Sequence, residues 1–377
     1  MKFALTLLFL LYFPLTPAAE LQPTPALAAK SYALYDYTSN QFLISINGDE
    51  RIEPASLTKL MTAYITFTAL KQGKLVLSQK LKPSSYALRV QGEESRMFLE
   101  VGKQATVEEL LHGLIVDSGN DAARVLAENI ANHELAFATD MMNSEALRLG
   151  MKNTHFVNAT GLPEDQHYSS ANDLALLSAA IVRDFPEFYP IYSMREYEYN
   201  RVKQFNRNQL LWLDPFVDGM KTGHTESAGF CLIASAKRER HRLISVVVGA
   251  ETESLRSTES QRLLNYGFQN FEVIPLYKKD QPVTSLRTWK GTEKKTEIGF
   301  RNDQFVTIPK GQRDLLKATI ETQQPLIAPI AKGAKIGTLK LSLNGKPYVE
   351  LPLVALDSVA LANVFSRGVD TLRLLFQ

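Results

Sequence analysis

The run Leu60–Leu70 contains no charged residue, and apolar side chains fall on every side of a helix drawn through it. A helix without a polar face has to be covered all round, so a chain that contains one must build its layers about it. Lys59 stands at the head of that run, three residues after Ser56 and on the same helix face. Burial disfavours an ammonium, so the amine of Lys59 is expected to lose its proton readily and serve as a base. Ser56, at the helix start, meets unpaired backbone N–H groups and the positive end of the helix dipole. That setting suits a nucleophile whose product carries oxyanion charge. Ser-x-x-Lys alone is a weak signal, since two common residues recur at that spacing by chance. Its position at the start of a charge-free helix strengthens it.

With 377 residues, 45% of them hydrophobic and 22% charged, the chain has material for more than one folded core. A formal net charge of +2 argues against nucleic acid as a partner, because such binding needs a basic surface that displaces counterions. The single cysteine, Cys231, excludes an internal disulfide or a multi-thiolate zinc site, and the 6 histidines show no metal-ligand spacing. No metal or other cofactor is expected.

The order of elements predicts an α+β fold. Ser31–Tyr37 and Gln41–Ile46 read as a hairpin, followed by helices over Leu57–Leu70, Val107–Val116, Asp121–Asn132 and Ala171–Arg183. Thr106 with Glu109 forms a capping box, and Ser170 with Asp173 marks another helix start. Three strands follow at Phe216–Thr222, Phe230–Ala236 and Leu243–Ala250, joined antiparallel by short polar turns. A hairpin, then helices, then a meander predicts one sheet whose edge strands come from both ends of the domain. Beyond Pro275 the texture changes to short strands. Seven of the 17 prolines fall between Pro275 and Pro352, and Leu339, Leu341 and Leu343 alternate with polar residues before the turn Asn344-Gly345.

Both ends of the chain suggest membranes. Residues 1–19 have a lysine, an apolar stretch too short to span a bilayer, then small residues, the pattern of an export signal; cleavage fits after Ala18 or Ala19, with Ala26–Ala28 as an alternative. At the other end Leu361, Val364, Phe365, Val369, Leu372, Leu375 and Phe376 form an apolar stripe, with Asn363, Arg367, Asp370 and Thr371 opposite. Such a helix either lies in a membrane interface or docks on the protein's own core. The expected division is an export signal at 1–19, a catalytic domain at 30–272, a small β domain at 273–356 and an amphipathic anchor at 357–377.

Two more groups accompany Ser56 and Lys59. Ser118-Gly119-Asn120 falls in a turn between two expected helices, and Lys221-Thr222-Gly223 on an expected strand. Each alone has a bland explanation, a helix cap or an exposed strand. Together, in this order, they make the three-part signature of serine β-lactamases and penicillin-binding proteins. The stretches EPASLTKLMTAY, VDSGNDAA, NRNQLLW and VDGMKTGHTESAGF resemble the type-5 D-alanyl-D-alanine carboxypeptidases, low-molecular-mass penicillin-binding proteins of the bacterial periplasm. The likeness runs from about Lys30 to the C-terminus.

That resemblance implies a β-lactamase/DD-peptidase-like fold and an enzyme on the periplasmic face of the inner membrane. Its substrate would be the peptidoglycan stem pentapeptide, losing its terminal D-alanine, with β-lactams as covalent inhibitors. Ser56 would attack the D-Ala-D-Ala carbonyl and Lys59 take its proton. Ser118 would relay a proton to the leaving amine, Asn120 hold Lys59 and a substrate amide, and Lys221 keep Lys59 neutral. Gly223 would let substrate lie against the strand, and the backbone N–H groups of Ser56 and His224 form the oxyanion hole. Thr222 and Arg207 would bind the terminal carboxylate, although Arg207 also fits a plain surface arginine. A β-lactamase is the enzymatic rival. Its extra base would be Glu164, but Tyr168 stands where that family's motif needs Asn. A non-catalytic cell-wall-binding protein is the rival of another class.

Overall fold

A computed structural model describes residues 22–89, 92 and 94–375. The export segment at 1–19 and Phe376 lie outside them. Contacts divide the chain into one unit over Thr24–Gln269 and another that takes in Asn270–Gln377.

The first unit is built on a five-stranded antiparallel sheet. Its strands are β1 (Ser31–Asp36), β2 (Gln41–Ile46), β3 (Val217–Thr225), β4 (Gly229–Arg238) and β5 (His241–Ala250), in the order β2-β1-β5-β4-β3. The early hairpin thus supplies one edge and the late meander the other, as the order of elements suggested. β3 pairs with β4, Lys221 opposite Ile233 and Gly223 opposite Cys231, and among the described residues its other edge carries no strand.

Helix α1 (Lys59–Lys71) is the central element. Leu60, Met61, Ala63, Tyr64, Ile65 and Phe67 are all buried, leaving no polar face, and Thr62 satisfies its hydroxyl on the Ala159 carbonyl at 2.7 Å. Around it lie α2 (Val107–Ile115), α3 (Asn120–Ala131) and α4 (Ala171–Asp184). The Thr106–Glu109 capping box is formed, and Ser170 accepts from the Asp173 amide at 3.2 Å.

The expected helix over Leu57–Leu70 differs at its start. Residues Ala55–Thr58 make a 3-10 turn, and the α-helix begins only at Lys59. A further helix, α5 (Glu253–Asn270), has no counterpart among the sequence expectations. It buries polar side chains, Arg256, Ser257, Glu259 and Ser260, and so lacks an apolar stripe. Gly267 brings it onto the sheet: a Cβ there would stand 2.5 Å from Leu243 and 2.8 Å from Leu34.

The second unit is β-rich. Its strands are β6 (Phe271–Tyr277), β7 (Pro282–Trp289), β8 (Lys295–Gly299), β9 (Gln304–Pro309), β10 (Leu316–Thr322), β11 (Leu326–Ile327), β12 (Lys335–Leu343) and β13 (Lys346–Ala355). They form a sheet in the order β10-β12-β13-β8-β7-β11 and the pair β6-β9 over a core including Ile298, Val306, Ile308, Leu339, Leu341 and Leu353. Asn344 and Gly345, both with positive φ, turn β12 into β13 as their sequence required.

The C-terminal helix is shorter than the stripe suggested. Asn363 caps it by accepting from Ser366 N at 2.9 Å, and α6 covers Val364–Leu374. Leu361 precedes the helix: Val359 and Leu361 make isolated β-bridges to Ile330 and Gly291. Those bridges satisfy backbone groups that a helix begun earlier would have used internally.

Candidate active site

Ser56 lies in the 3-10 turn just ahead of α1. The turn is held from outside. Ala55 has φ +47°, and Gly161, with φ +85°, packs so tightly on it that a Cβ would sit 1.8 Å from the Ala55 carbonyl oxygen. Lys59, one turn into the helical segment, places Nζ 2.9 Å from Ser56 Oγ and donates to the Thr160 carbonyl at 2.7 Å. Its side chain is 1% exposed. Burial, with Arg207 and Arg124 adding to it, pulls the Lys59 amine down to about 7. That amine can therefore exist as free base beside a hydroxyl at neutral pH.

Ser118 occupies the turn from α2 to α3 with φ +60°. Lys221, buried on β3, donates to Ser118 Oγ at 2.8 Å and to the Thr222 carbonyl at 3.1 Å. Burial first, then the charge of Lys59, pulls its amine well below the ordinary lysine range. The two Ser–Lys pairs are thus joined in one region although Ser118 and Lys221 stand 103 residues apart.

Asn120 begins α3. Its amide Nδ2 donates to Glu94 Oε2 at 2.8 Å, and its backbone N–H donates to the Ser95 carbonyl at 2.8 Å. The expected hold of Asn120 on Lys59 is not the arrangement found: the amine of Lys59 turns instead to Ser56 and Thr160, and Asn120 to Glu94. The Glu94 carboxylate gives the Asn120 Nδ2 a charged acceptor, and the Thr160 carbonyl takes the Lys59 hydrogen bond that the Asn120 oxygen would have received.

Arg207 completes the rim by donating to Ser95 Oγ at 2.8 Å. These groups enclose a cavity of about 140 Å³ lined by Ser56, Ser118, Asn120, Arg207, Thr222, Gly223 and His224, with Lys59 and Lys221 behind the two serine hydroxyls. All nine residues singled out in the sequence therefore meet in one place. Gly223 has a steric reason: a Cβ there would stand 3.1 Å from the Pro54 carbonyl oxygen and 3.2 Å from Ala55 Cβ. The face of β3 at Gly223 is thereby brought against the Ser56 turn. The His224 ring packs on Phe230 at 4.1 Å.

Several lining residues carried no motif. Thr160 acts through its carbonyl, which no side-chain pattern reports. Glu94 bridges Asn120 and Arg124, at 2.8 and 3.3 Å. Arg256, on the polar helix α5, lines the cavity beside Arg207, pairs with Glu253 and donates to the Arg207 carbonyl at 3.4 Å. Two guanidiniums at one rim suit a carboxylate ligand. Glu164 is exposed and does not line the cavity, so it is not placed as a second base. Among the described residues no cluster of three or more His, Cys, Asp or Glu could hold a metal ion.

Comparison with known proteins agrees with this geometry. A family model described as D-alanyl-D-alanine carboxypeptidase matches residues 18–252, and one described as penicillin-binding protein 5, C-terminal domain, matches residues 271–360. The D-alanyl-D-alanine carboxypeptidase DacA of Haemophilus influenzae is 41% identical over 352 residues, which is 92% of this chain and 89% of that protein. The crystal structure of penicillin binding protein 5 from Haemophilus influenzae matches with a TM-score of 0.84 at 41% identity, covering 89% of this chain and 99% of that one. Penicillin-binding protein D2 from Listeria monocytogenes, solved in its ampicillin-bound form, matches with a TM-score of 0.59 at 32% identity over 66% of this chain and 100% of that one.

Proposed function

The chain belongs to the D-alanyl-D-alanine carboxypeptidase family, and from that premise we propose that Ser56 is the residue acylated in the reaction and Lys59 its base. The activity is that of a serine D-Ala-D-Ala carboxypeptidase of the penicillin-binding class, acting on peptidoglycan peptides. The observation that carries the assignment is the 2.9 Å approach of a fully buried amine to the Ser56 hydroxyl.

In the proposed sequence the peptide lies along the edge of β3 that carries no strand among the described residues, and Gly223, rather than making room for it, lets β3 close on the Ser56 turn. Its terminal carboxylate meets Arg207 and Thr222, with Arg256 adding positive charge to that end. The neutral Lys59 amine accepts the Ser56 proton as Oγ attacks the penultimate D-alanine carbonyl. The backbone N–H groups of Ser56 and His224 stabilise the oxyanion. Ser118, hydrogen-bonded to Lys221, passes a proton to the departing D-alanine amine. Asn120 offers its side-chain amide to the peptide. Water then cleaves the ester, and the Ser56 hydroxyl regains its proton. A β-lactam enters the same sequence as far as the acyl-enzyme. On this reading residues 30–272 hold the reaction and 273–356 form the appended β domain.

The membrane reading has its own support. Helix α6 leaves Val364, Phe365, Leu372 and Leu375 exposed, while Asp370, on its polar side, accepts from the Lys290 backbone N–H at 2.7 Å. A helix docked on its own core would do the reverse. Among the described residues no helix is long and apolar enough to cross a membrane. We therefore assign α6 to the surface of the cytoplasmic membrane on its periplasmic side, with residues 1–19 as the export signal.

The deciding experiment is labelling with a fluorescent penicillin alongside D-alanine release. Ser56→Ala is expected to abolish both. Retained labelling would show that another residue is the nucleophile, and an adduct lost within seconds would favour the β-lactamase alternative.

A further inference from the structure

Asp117 immediately precedes Ser118 in the turn between α2 and α3, and the scheme above gives it no task. Its side chain is 1% exposed, and neither carboxylate oxygen has a hydrogen-bond partner among the described residues. The neighbouring Asp121 is an instructive contrast, since it accepts from the backbone N–H groups of Met97 at 2.9 Å, Leu99 at 3.2 Å and Ala122 at 2.9 Å. Among the described residues the Asp117 carboxylate caps nothing and pins nothing. Buried polar groups are nearly always paired, and one left unpaired calls for a reason.

The charges around it supply one. Lys221 of β3 and Arg207 face Asp117 with positive charge, Asp121 of α3 faces it with negative charge, and Tyr197 lies within its field from the hairpin of Glu196–Tyr199 and Val202–Phe205. Lys221 in turn feels Lys59 of α1, Arg207 and Arg256 of α5, all of which drive its proton off, whereas Asp117 favours keeping it. Lys59 is similarly pressed by Arg207 and Arg124, with Glu94 and Asp121 opposing them. Two buried amines that repel each other titrate as a pair, and their surroundings decide which one holds the proton.

We propose that Asp117 is a positioning residue for acyl transfer: its carboxylate biases the proton held by the two amines toward Lys221, leaving Lys59 as free base. The inference rests on the assignment of Lys59 as base and Lys221 as cation. Asp117 touches neither substrate nor the reacting atoms; it acts through the field at Lys221. Burial and Asp121 push the Asp117 carboxyl up to about 7, against the pull of Arg207 and Lys221, so its own charge changes in the neutral range.

The test is the full-length Asp117→Asn protein, which keeps the shape of the side chain and breaks no hydrogen bond. The second-order rate constant for acylation by a fluorescent penicillin is measured from about pH 5 to about pH 10, together with the melting temperature. Removing the carboxylate is expected to narrow the bell from its alkaline side, that limb moving down because Lys221 loses its anion while the acid limb does not rise. The maximum should fall by up to about tenfold for each pKa unit by which Lys221 falls. The melting temperature should hold or rise, because an unpaired buried charge has gone. Asp117→Glu should restore much of the breadth. Limbs that coincide with those of the parent protein would overturn the inference, as would a uniform fall in rate at every pH accompanied by a lower melting temperature. Persistent labelling of Ser56→Ala would instead overturn the underlying assignment, so the two failures are distinguishable.

Discussion

The Lys59 amine lies 2.9 Å from the Ser56 hydroxyl with almost no access to water. Among the described residues an ammonium in that position has no carboxylate in hydrogen-bond reach: the remaining hydrogen bond of Lys59 goes to the neutral carbonyl of Thr160 at 2.7 Å. Desolvation therefore wins over the more distant acids Glu94 and Asp121. The fold accepts a poorly solvated lysine in its central helix, and on the proposed assignment what it obtains is a base that works at ordinary pH.

The sign of the pH dependence follows. On the proposed assignment the free amine is the active form, and it is depleted as pH falls through about 7. Acylation by penicillin should drop by about tenfold per pH unit below that point. Lys59→Arg should be inactive throughout, since a guanidinium keeps its proton. Stopped labelling at a series of pH values checks both; a flat profile across the neutral range would contradict the assignment of Lys59 as base.

Gly161 should be intolerant of any side chain. Its φ of +85° disfavours other residues, and a Cβ would meet the Ala55 carbonyl oxygen at 1.8 Å. The turn carrying Ser56 would have to move, and a displacement of about 1 Å at a reacting group can cost about a hundredfold in rate. Gly161→Ala is therefore expected to reduce kcat/KM by roughly that factor while the protein remains folded. Activity assays with circular dichroism of the variant separate the two effects.

Ser56, Lys59, Ser118 and Lys221 are legible in the sequence because their chemistry lies in side-chain type, and the fold puts those types at a helix head, a turn and a strand where local pattern already placed them. Thr160 is not, because it contributes a backbone carbonyl. Helix α5 leaves no local signature, because Arg256, Ser257, Glu259 and Ser260 are buried where a packed helix usually shows apolar residues; long-range contacts, not a local stripe, hold it. At the C-terminus Leu361 continues the helical periodicity, but its bridge to Gly291 draws it out of the helix. Asn363, with Ser366 three residues later, is the signal that marks the true start.

Arg207 should separate exo-cleavage from mere peptide binding. A charge-assisted hydrogen bond to the terminal carboxylate is worth about 1.5–3 kcal/mol. Arg207→Gln is thus expected to lower kcat/KM for D-Ala-D-Ala peptides by about tenfold to a hundredfold. The same peptides with an amidated C-terminus should be poor substrates for the parent protein and lose little more in the variant. Equal losses on both substrates would remove Arg207 from carboxylate recognition and leave it as a rim residue holding Ser95.

Membrane attachment can be tested without disturbing the β domain. A cut at Ser358 would also remove Val359, which is 3% exposed and bridged to Ile330, so a chain ending at Asn363 is the cleaner truncation. It should move from the membrane fraction to the soluble fraction with its penicillin labelling intact. Replacing Phe365 and Leu372, exposed at 83% and 61%, by Glu in the full-length chain offers an independent check. Burying each apolar side chain in the acyl boundary is worth about 1.5–3 kcal/mol, so the pair should weaken binding to anionic phospholipid vesicles by at least about a hundredfold. If both altered chains sediment with membranes as the parent does, α6 is not the anchor, and its exposed apolar face needs a different partner.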